Sequence, residues 1–344
     1  MVCLEGGNSL LSFVVGLFIL VWFSSTMGNI FFIWMLMEFV FFFVMMNLIV
    51  SSGGKGNVSG VIFYLFVQAL GGVLVLSSMM VEMLYFGNYY YLGSNVCLGC
   101  LYLGAMGLMM KMGMFPFYVQ VYQIMNLINF NQVMMFMLYP KVVPMVMLYS
   151  MVSQLDLGGE LFIFSLLVML VSGVQGLVST DLREFLAWSG LGQLGWIFVS
   201  IMGSFFCFLF FFWTYVFVLM CVCFMFDGGG RKVFPNFSGV GVGGGGLLIA
   251  LFLVFFMSGL APFLMFYLKL FLLFSVGNFT LGVMGGMMVG SMGLFLLYVR
   301  VMQMMVCLGG SMFLTPLLGS AGLKGYAAAS VFFFFFFGGV LLLI

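Results

Sequence analysis

Five ionisable residues of this chain stand within long apolar runs: Glu38, Glu82, Lys111, Lys141 and Lys269. A lysine at the centre of a bilayer costs about 2.5 to 3.5 kcal/mol on insertion scales, so each needs a partner, water or both, and such residues usually mark ion or substrate pathways. Glu38, Lys111, Lys141 and Lys269 are flanked on both sides by apolar residues, whereas Glu82 lies near the end of its run and is expected to reach the membrane interface. Glu38 can neutralise only one of the three lysines. The other two would need water, or loss of their proton, to be tolerated. That is the chemistry of a proton relay; structural ion pairs are the alternative.

The stretches around these residues suit a flexible site. Lys111 lies in LGAMGLMMKMGMFPFYVQ, residues 103–120, with Gly104 and Gly107 seven and four positions before it on its own helix face. Small residues there let another helix approach closely. Pro116 follows, removing a backbone hydrogen bond and freeing the carbonyl around Met112, which predicts a broken helix whose ends line a cavity. Ser258, Gly259 and Pro262 precede Lys269 in the same way.

The elements that hold these residues follow from composition. The chain has 344 residues, 65% hydrophobic and 5% charged, with mean hydropathy +1.34. Such a surface could not stay solvated in water, and each helix crossing about 30 Å of hydrocarbon needs about 20 residues. The expectation is an all-α polytopic membrane protein forming a single transmembrane domain, 1–344. Apolar runs place about eleven spans at 9–23, 28–50, 58–86, 96–119, 123–151, 161–178, 184–203, 205–226, 247–276, 280–306 and 326–344. A β-barrel is disfavoured because the runs do not alternate with polar residues.

Charge outside the spans orients them. Lys55, Arg183, Arg231, Lys232 and Lys324 all fall in gaps on the side of the N-terminus, as does Arg300 near a span end, while the opposite gaps carry Asp156 and Glu160. The positive-inside rule then puts the N-terminus on the side of synthesis and the C-terminus on the other. The first residues, MVCLEGGNS, read as neither a cleavable signal nor an Arg-rich transit peptide, so insertion is expected to rely on the spans themselves.

The net charge of +1 gives no reason to expect nucleic acid. Seven cysteines, including Cys97/Cys100 and Cys221/Cys223, have no histidine to complete a common metal site and are read as small packing residues. The Gly-rich segment 227–246 lacks the G-K-[ST] of a phosphate loop and is read as a connector.

Several of these segments resemble the NADH dehydrogenase subunit 2 family of respiratory complex I, relatives of the Mrp-type cation/proton antiporter subunits. WMLMEF with Glu38 is similar to W-x-G-L-E. KMGMFPFYVQVYQ with Lys111 is similar to K-x-G-x-x-P-F-H-x-W-x-P-x-V, and YPKVVP matches the K-x-x-P around Lys141. STDLREFLAWSGLGQLGW is similar to Q-T-Q-L-R-K-x-x-A-Y-S-S-I-x-H-x-G-W, and SGLAPFLMFYLK with Lys269 to G-G-L-P-P-x-x-G-F-x-x-K. The chain departs from the pattern at Tyr118 and Gln193, which stand where the family has histidines, at Gln120 for Trp, Tyr122 for Pro and Ala261 for Pro, and at Met265 and Leu268.

The resemblance implies an antiporter-like fold with two discontinuous helices, broken at Pro116 and Pro262. It implies a proton relay of Glu38, Lys111, Lys141 and Lys269 in a subunit of NADH:ubiquinone reductase, multi-pass in the mitochondrial inner membrane, N-terminus to the matrix and C-terminus to the intermembrane space. Its partners would be other membrane-arm subunits, further antiporter-like subunits among them, and lipids. No haem, flavin or iron–sulfur signature is present in the sequence. No cofactor is expected in this chain; NADH, FMN, iron–sulfur clusters and ubiquinone would belong elsewhere in the complex. A purely structural membrane-arm subunit and a stand-alone Mrp-type cation/proton antiporter are the other readings.

Overall fold

A computed structural model describes residues 8–52, 58–86, 98–125, 128–152, 158–179, 181–227, 244–259, 263–275 and 281–309. Among them run twelve α-helices: α1 (Asn8–Thr26), α2 (Ile30–Ser52), α3 (Val58–Phe86), α4 (Leu98–Met112), α5 (Val119–Met125), α6 (Phe130–Val152), α7 (Gly158–Val178), α8 (Leu182–Met202), α9 (Phe205–Asp227), α10 (Gly244–Ser258), α11 (Leu264–Ser275) and α12 (Leu281–Gly309). Six contain stretches long and apolar enough to cross a membrane: Phe31–Ile49, Ser59–Leu84, Gln132–Val152, Leu182–Met202, Phe205–Cys223 and Gly285–Met304. The protein is a helical membrane protein. The last expected span, with Lys55, Arg231, Lys232, Lys324, Asp156, Cys97 and Pro262, lies outside the described residues.

Helix ends follow local polar signals in an otherwise apolar chain. At the start of α6 the Gln132 side-chain oxygen accepts from the Asn129 N–H at 3.1 Å, reaching back to cap the helix. Ser204 caps α9 by accepting from the Cys207 N–H. Gly203 separates α8 from α9 where the sequence predicts a tight turn. Within helices, Ser165, Ser172, Ser189 and Ser200 donate to the carbonyl three residues back, so their hydroxyls stay satisfied without water.

Two spans start or stop elsewhere than their apolar runs suggest. The run 123–151 holds the end of α5 and a new helix, α6, that starts only at Phe130. Arg183, expected in a gap, is buried in the first turn of α8, its guanidinium 5.2 Å from the Phe130 ring centroid.

The helices group into two compact units, residues 1–128 with 135–159, and residues 129–134 with 160–344. In the first, α3 and α4 pack along their length. A methyl group at Gly107 would lie 2.9 Å from the Gly71 carbonyl oxygen, and one at Gly104 would lie 2.8 Å from Ser78 Oγ, so a side chain at either would push α3 and α4 apart. In the second, α8 is buried along nearly its whole length. Large apolar side chains such as Phe39, Phe42, Phe66 and Val73 of the first unit and Phe206 and Phe274 of the second stay exposed, as lipid-facing surfaces require.

Candidate functional site

In the first unit, α2 and α4 bring Glu38 and Lys111 together as an ion pair between Lys111 Nζ and Glu38 Oε1. The lysine side chain is 2% exposed and the glutamate side chain 20%. Space for the pair comes from two consecutive glycines of α3. A methyl group on Gly72 would overlap Glu38 Oε1 and sit 3.2 Å from Lys111 Nζ, and one on Gly71 would lie 3.0 Å from Lys111 Cγ. Trp34 Nε1 donates to the Gly72 carbonyl at 3.2 Å, fixing α2 to α3 beside the pair.

Lys111 stands in the last turn of α4, where carbonyls lose their helical partners. The helix ends at Gly113, whose φ of +68° is the left-handed conformation that glycine adopts freely, so the chain leaves the helix three residues before Pro116. Two glutamines then meet carbonyls of this last turn, of which that of Met110 also accepts from the Gly113 N–H. Gln120 Nε2 donates to the Met110 carbonyl at 2.6 Å, and Gln68 Nε2 donates to the Lys111 carbonyl at 2.9 Å. The sequence points to the carbonyl of Met112; the glutamines meet those one and two residues before it.

Lys141 is 3% exposed in α6, beside Pro140 and three residues before Pro144. Among the described residues its ammonium has one hydrogen-bond contact, Met137 Sδ at 3.8 Å. Phe136 stacks edge-on against Tyr64, and Met151 touches Gly104 where Gly104 meets Ser78. Lys141, between those contacts, therefore lies at a depth near Gln68 to Gly72 of α3, the depth of the ion pair.

The second unit repeats the device at α10 and α11. Gly259, φ +69°, follows the last residue of α10, and helix resumes at Leu264. Lys269 is 7% exposed, donates to the Ser258 carbonyl at 3.3 Å, and places its ammonium 5.4 Å from the centroid of the Trp196 ring. Gln193, one turn before Trp196 on α8, donates to the Met257 carbonyl at 3.0 Å and to the Tyr298 hydroxyl of α12 at 3.3 Å. A buried lysine and a glutamine amide thus hold the carbonyls that end α10.

The sequence points to Glu38, Lys111, Lys141 and Lys269, which the structure places in buried surroundings or an ion pair, and not to Gly71, Gly72, Gln68, Trp34 and Tyr298 around them. The usable signals were a Gly-Gly pair and a lone glutamine in an apolar helix. Gln120 and Gln193 stood out only as departures from a family pattern; both are fully buried and donate to helix-terminal carbonyls. Glu82 is 6% exposed, because its face of α3 turns toward α4. Among the described residues no group of histidine, cysteine, aspartate or glutamate side chains is arranged to hold a metal.

The fold is one found in chains of several multi-subunit membrane complexes. It is shared with a chain of the membrane-bound sulfane sulfur reductase, an archaeal respiratory membrane complex, at a TM-score of 0.76 and 16% identity, covering 92% of this chain and 70% of that one. A chain of respiratory complex I from Thermus thermophilus aligns at 0.71 and 13% identity, covering 89% and 70%. A chain of the Mrp complex from Dietzia sp. aligns at 0.67 and 13%, covering 86% and 59%.

Among curated proteins, the homologues of this chain carry the name NADH-ubiquinone oxidoreductase chain 2. That of Dasypus novemcinctus is 26% identical over 194 residues, 54% of this chain and 55% of its own length. That of Ailurus fulgens is 28% identical over 140 residues, 39% and 38%. The chain spans about half the length, or less, of the curated relatives it matches. No family model matches it.

Proposed function

We propose that this chain is a proton-translocating membrane-arm subunit of NADH:ubiquinone oxidoreductase, complex I. In this reading it is a single transmembrane module in the mitochondrial inner membrane, N-terminus to the matrix and C-terminus to the intermembrane space. Electron transfer from NADH to ubiquinone takes place on other subunits, which hold the redox cofactors, and this chain answers it by moving protons. Its partners are further antiporter-like subunits of the membrane arm, with lipid around them. The homologous NADH-ubiquinone oxidoreductase chain 2 proteins supply the assignment. The observation that carries the mechanism is the Glu38–Lys111 ion pair, set in the last turn of a helix with the equally buried Lys141 in the same unit.

Glu38 and Lys111 act as a switchable pair. Pairing holds the proton on Lys111; separating them leaves a desolvated ammonium without a counter-ion, which gives its proton up. Lys141, without a carboxylate partner among the described residues, takes and passes the proton. Lys269 hands the proton, or the electrostatic change, onward. In this reading the ends of α4 and α10 are breaks in two discontinuous membrane helices. They matter because a glycine hinge next to each lysine lets it move relative to its partner without unfolding a full helix.

The test is Lys111→Met in the assembled, membrane-embedded complex, with NADH oxidation and proton uptake followed together. Loss of quinone-linked pumping in a complex that still assembles is the expected result; full pumping would sink the reading. If Lys141→Met and Lys269→Met instead block assembly, the charges are structural. Cation transport by the chain reconstituted alone would show a free antiporter.

A further inference from the structure

Glu82 is a buried carboxyl that the relay does not use. It lies on the face of α3 made by Gln68, Gly71, Val75, Ser78 and Glu82, spaced three and four residues apart, and every member of that face is buried. The face packs on α4 in antiparallel register, Gly71 on Gly107 and Ser78 on Gly104, which carries Glu82 to the level of Cys100. Glu82 Oε1 has no hydrogen-bond partner among the described residues. No lysine or arginine occurs anywhere between Lys55 and Lys111, so neither α3, nor the segment after it, nor α4 before its last turn can supply a counter-ion.

Among the described residues the neighbouring helices supply none at that depth either. Across α3, Glu38 packs at Gly72, ten residues and about 15 Å below Glu82 along the axis. Lys111 and Lys141 share that lower level. The nearest titratable group in register is the Cys100 thiol on α4, and the start of α2 brings no ionisable group. A carboxylate oxygen withdrawn from water, with neither cation nor donor on it among the described residues, favours the uncharged form that adding a proton gives. Glu82 stands one turn from the end of α3, so its proton has a short way to water, and the Ser78 hydroxyl lies one turn deeper on the same face.

We propose that Glu82 is a proton-binding site separate from the Glu38, Lys111, Lys141 and Lys269 relay, holding one proton on its carboxyl and exchanging it with water at the end of α3 during turnover. The step is a simple protonation of a carboxylate oxygen, with water at the membrane surface as the source and sink. That the site holds a proton stands on its own; that it exchanges the proton during turnover rests on the pumping function proposed above.

The experiment is infrared spectroscopy of the membrane-embedded complex carrying the parent chain, Glu82→Gln or Glu82→Asp, at rest and during NADH oxidation, with the proton-to-electron ratio measured on the same samples. The expected result is a carboxylic-acid C=O band, sensitive to deuterium exchange, that disappears in Glu82→Gln, moves in Glu82→Asp and changes intensity during turnover. Proton coupling is lost in Glu82→Gln and retained in Glu82→Asp. An acid band that survives unchanged in both variants overturns the site, and a lost band with an unchanged proton ratio overturns its part in turnover. Should Glu82→Gln fail to assemble, the band position in Glu82→Asp decides alone. A parent complex that does not pump refutes the proposed function, while the resting band still judges whether Glu82 carries a proton.

Discussion

Lys111 and Glu38 meet across α3 over a glycine, Gly72, whose missing side chain is the space the pair occupies. Removing one partner of a buried pair leaves the other charge without compensation, at a cost of about 3 to 5 kcal/mol. Lys111→Met and Glu38→Gln should each lower the melting temperature of the complex. The double variant should recover most of that stability without recovering pumping. A double-mutant cycle on thermal unfolding, run beside proton uptake, checks both halves.

Gly72→Ala tests the space itself. The added methyl overlaps Glu38 Oε1, so the pair must part or α2 must shift, and overpacking of this kind costs about 1 to 3 kcal/mol. Pumping should fall although both charged residues remain. Gly99→Ala on α4, where a methyl group meets nothing within 4 Å, is the control and should leave both stability and pumping unchanged.

Gln193 offers a test in the second unit. Gln193→Leu leaves the Met257 carbonyl and the Tyr298 hydroxyl without their donor, and a buried group so deprived costs about 1 to 3 kcal/mol. Gln193→His restores a donor with the residue of the family pattern and should recover most of the loss. Thermal unfolding of the purified complex separates the two outcomes.

Gly259→Ala combines two penalties. A side chain in the left-handed conformation costs about 1 to 2 kcal/mol, and its methyl would come within 2.6 Å of Lys269 Nζ. The lysine would be pushed off the Ser258 carbonyl. Proton coupling should weaken more than assembly does, measured by the proton-to-electron ratio at equal amounts of assembled complex.

How much of this was legible beforehand depends on the kind of residue. A lysine in an apolar run announces itself, because its cost in hydrocarbon is larger than any packing preference; Lys111, Lys141, Lys269 and Glu38 were therefore found from the sequence. The helical membrane character followed from composition for the same reason. Helix ends were harder. The proline at 116 reads as the break, yet a single glycine three residues earlier ends α4, because a left-handed residue stops the hydrogen-bond ladder wherever it falls.

Tertiary structure alone decided which polar groups meet. Gln68 lies 43 residues from the carbonyl it binds, Trp34 38 residues from Gly72 and Gln193 105 residues from Tyr298, separations that no local pattern encodes. Glu82 shows the limit most plainly. Its place near the end of an apolar run says nothing of burial, which is set by which face of α3 turns toward α4, where the glycines at 71, 104 and 107 let the two helices pack closely. The sequence by itself determined where charge would be costly; the packing of helices decided which charges are paired.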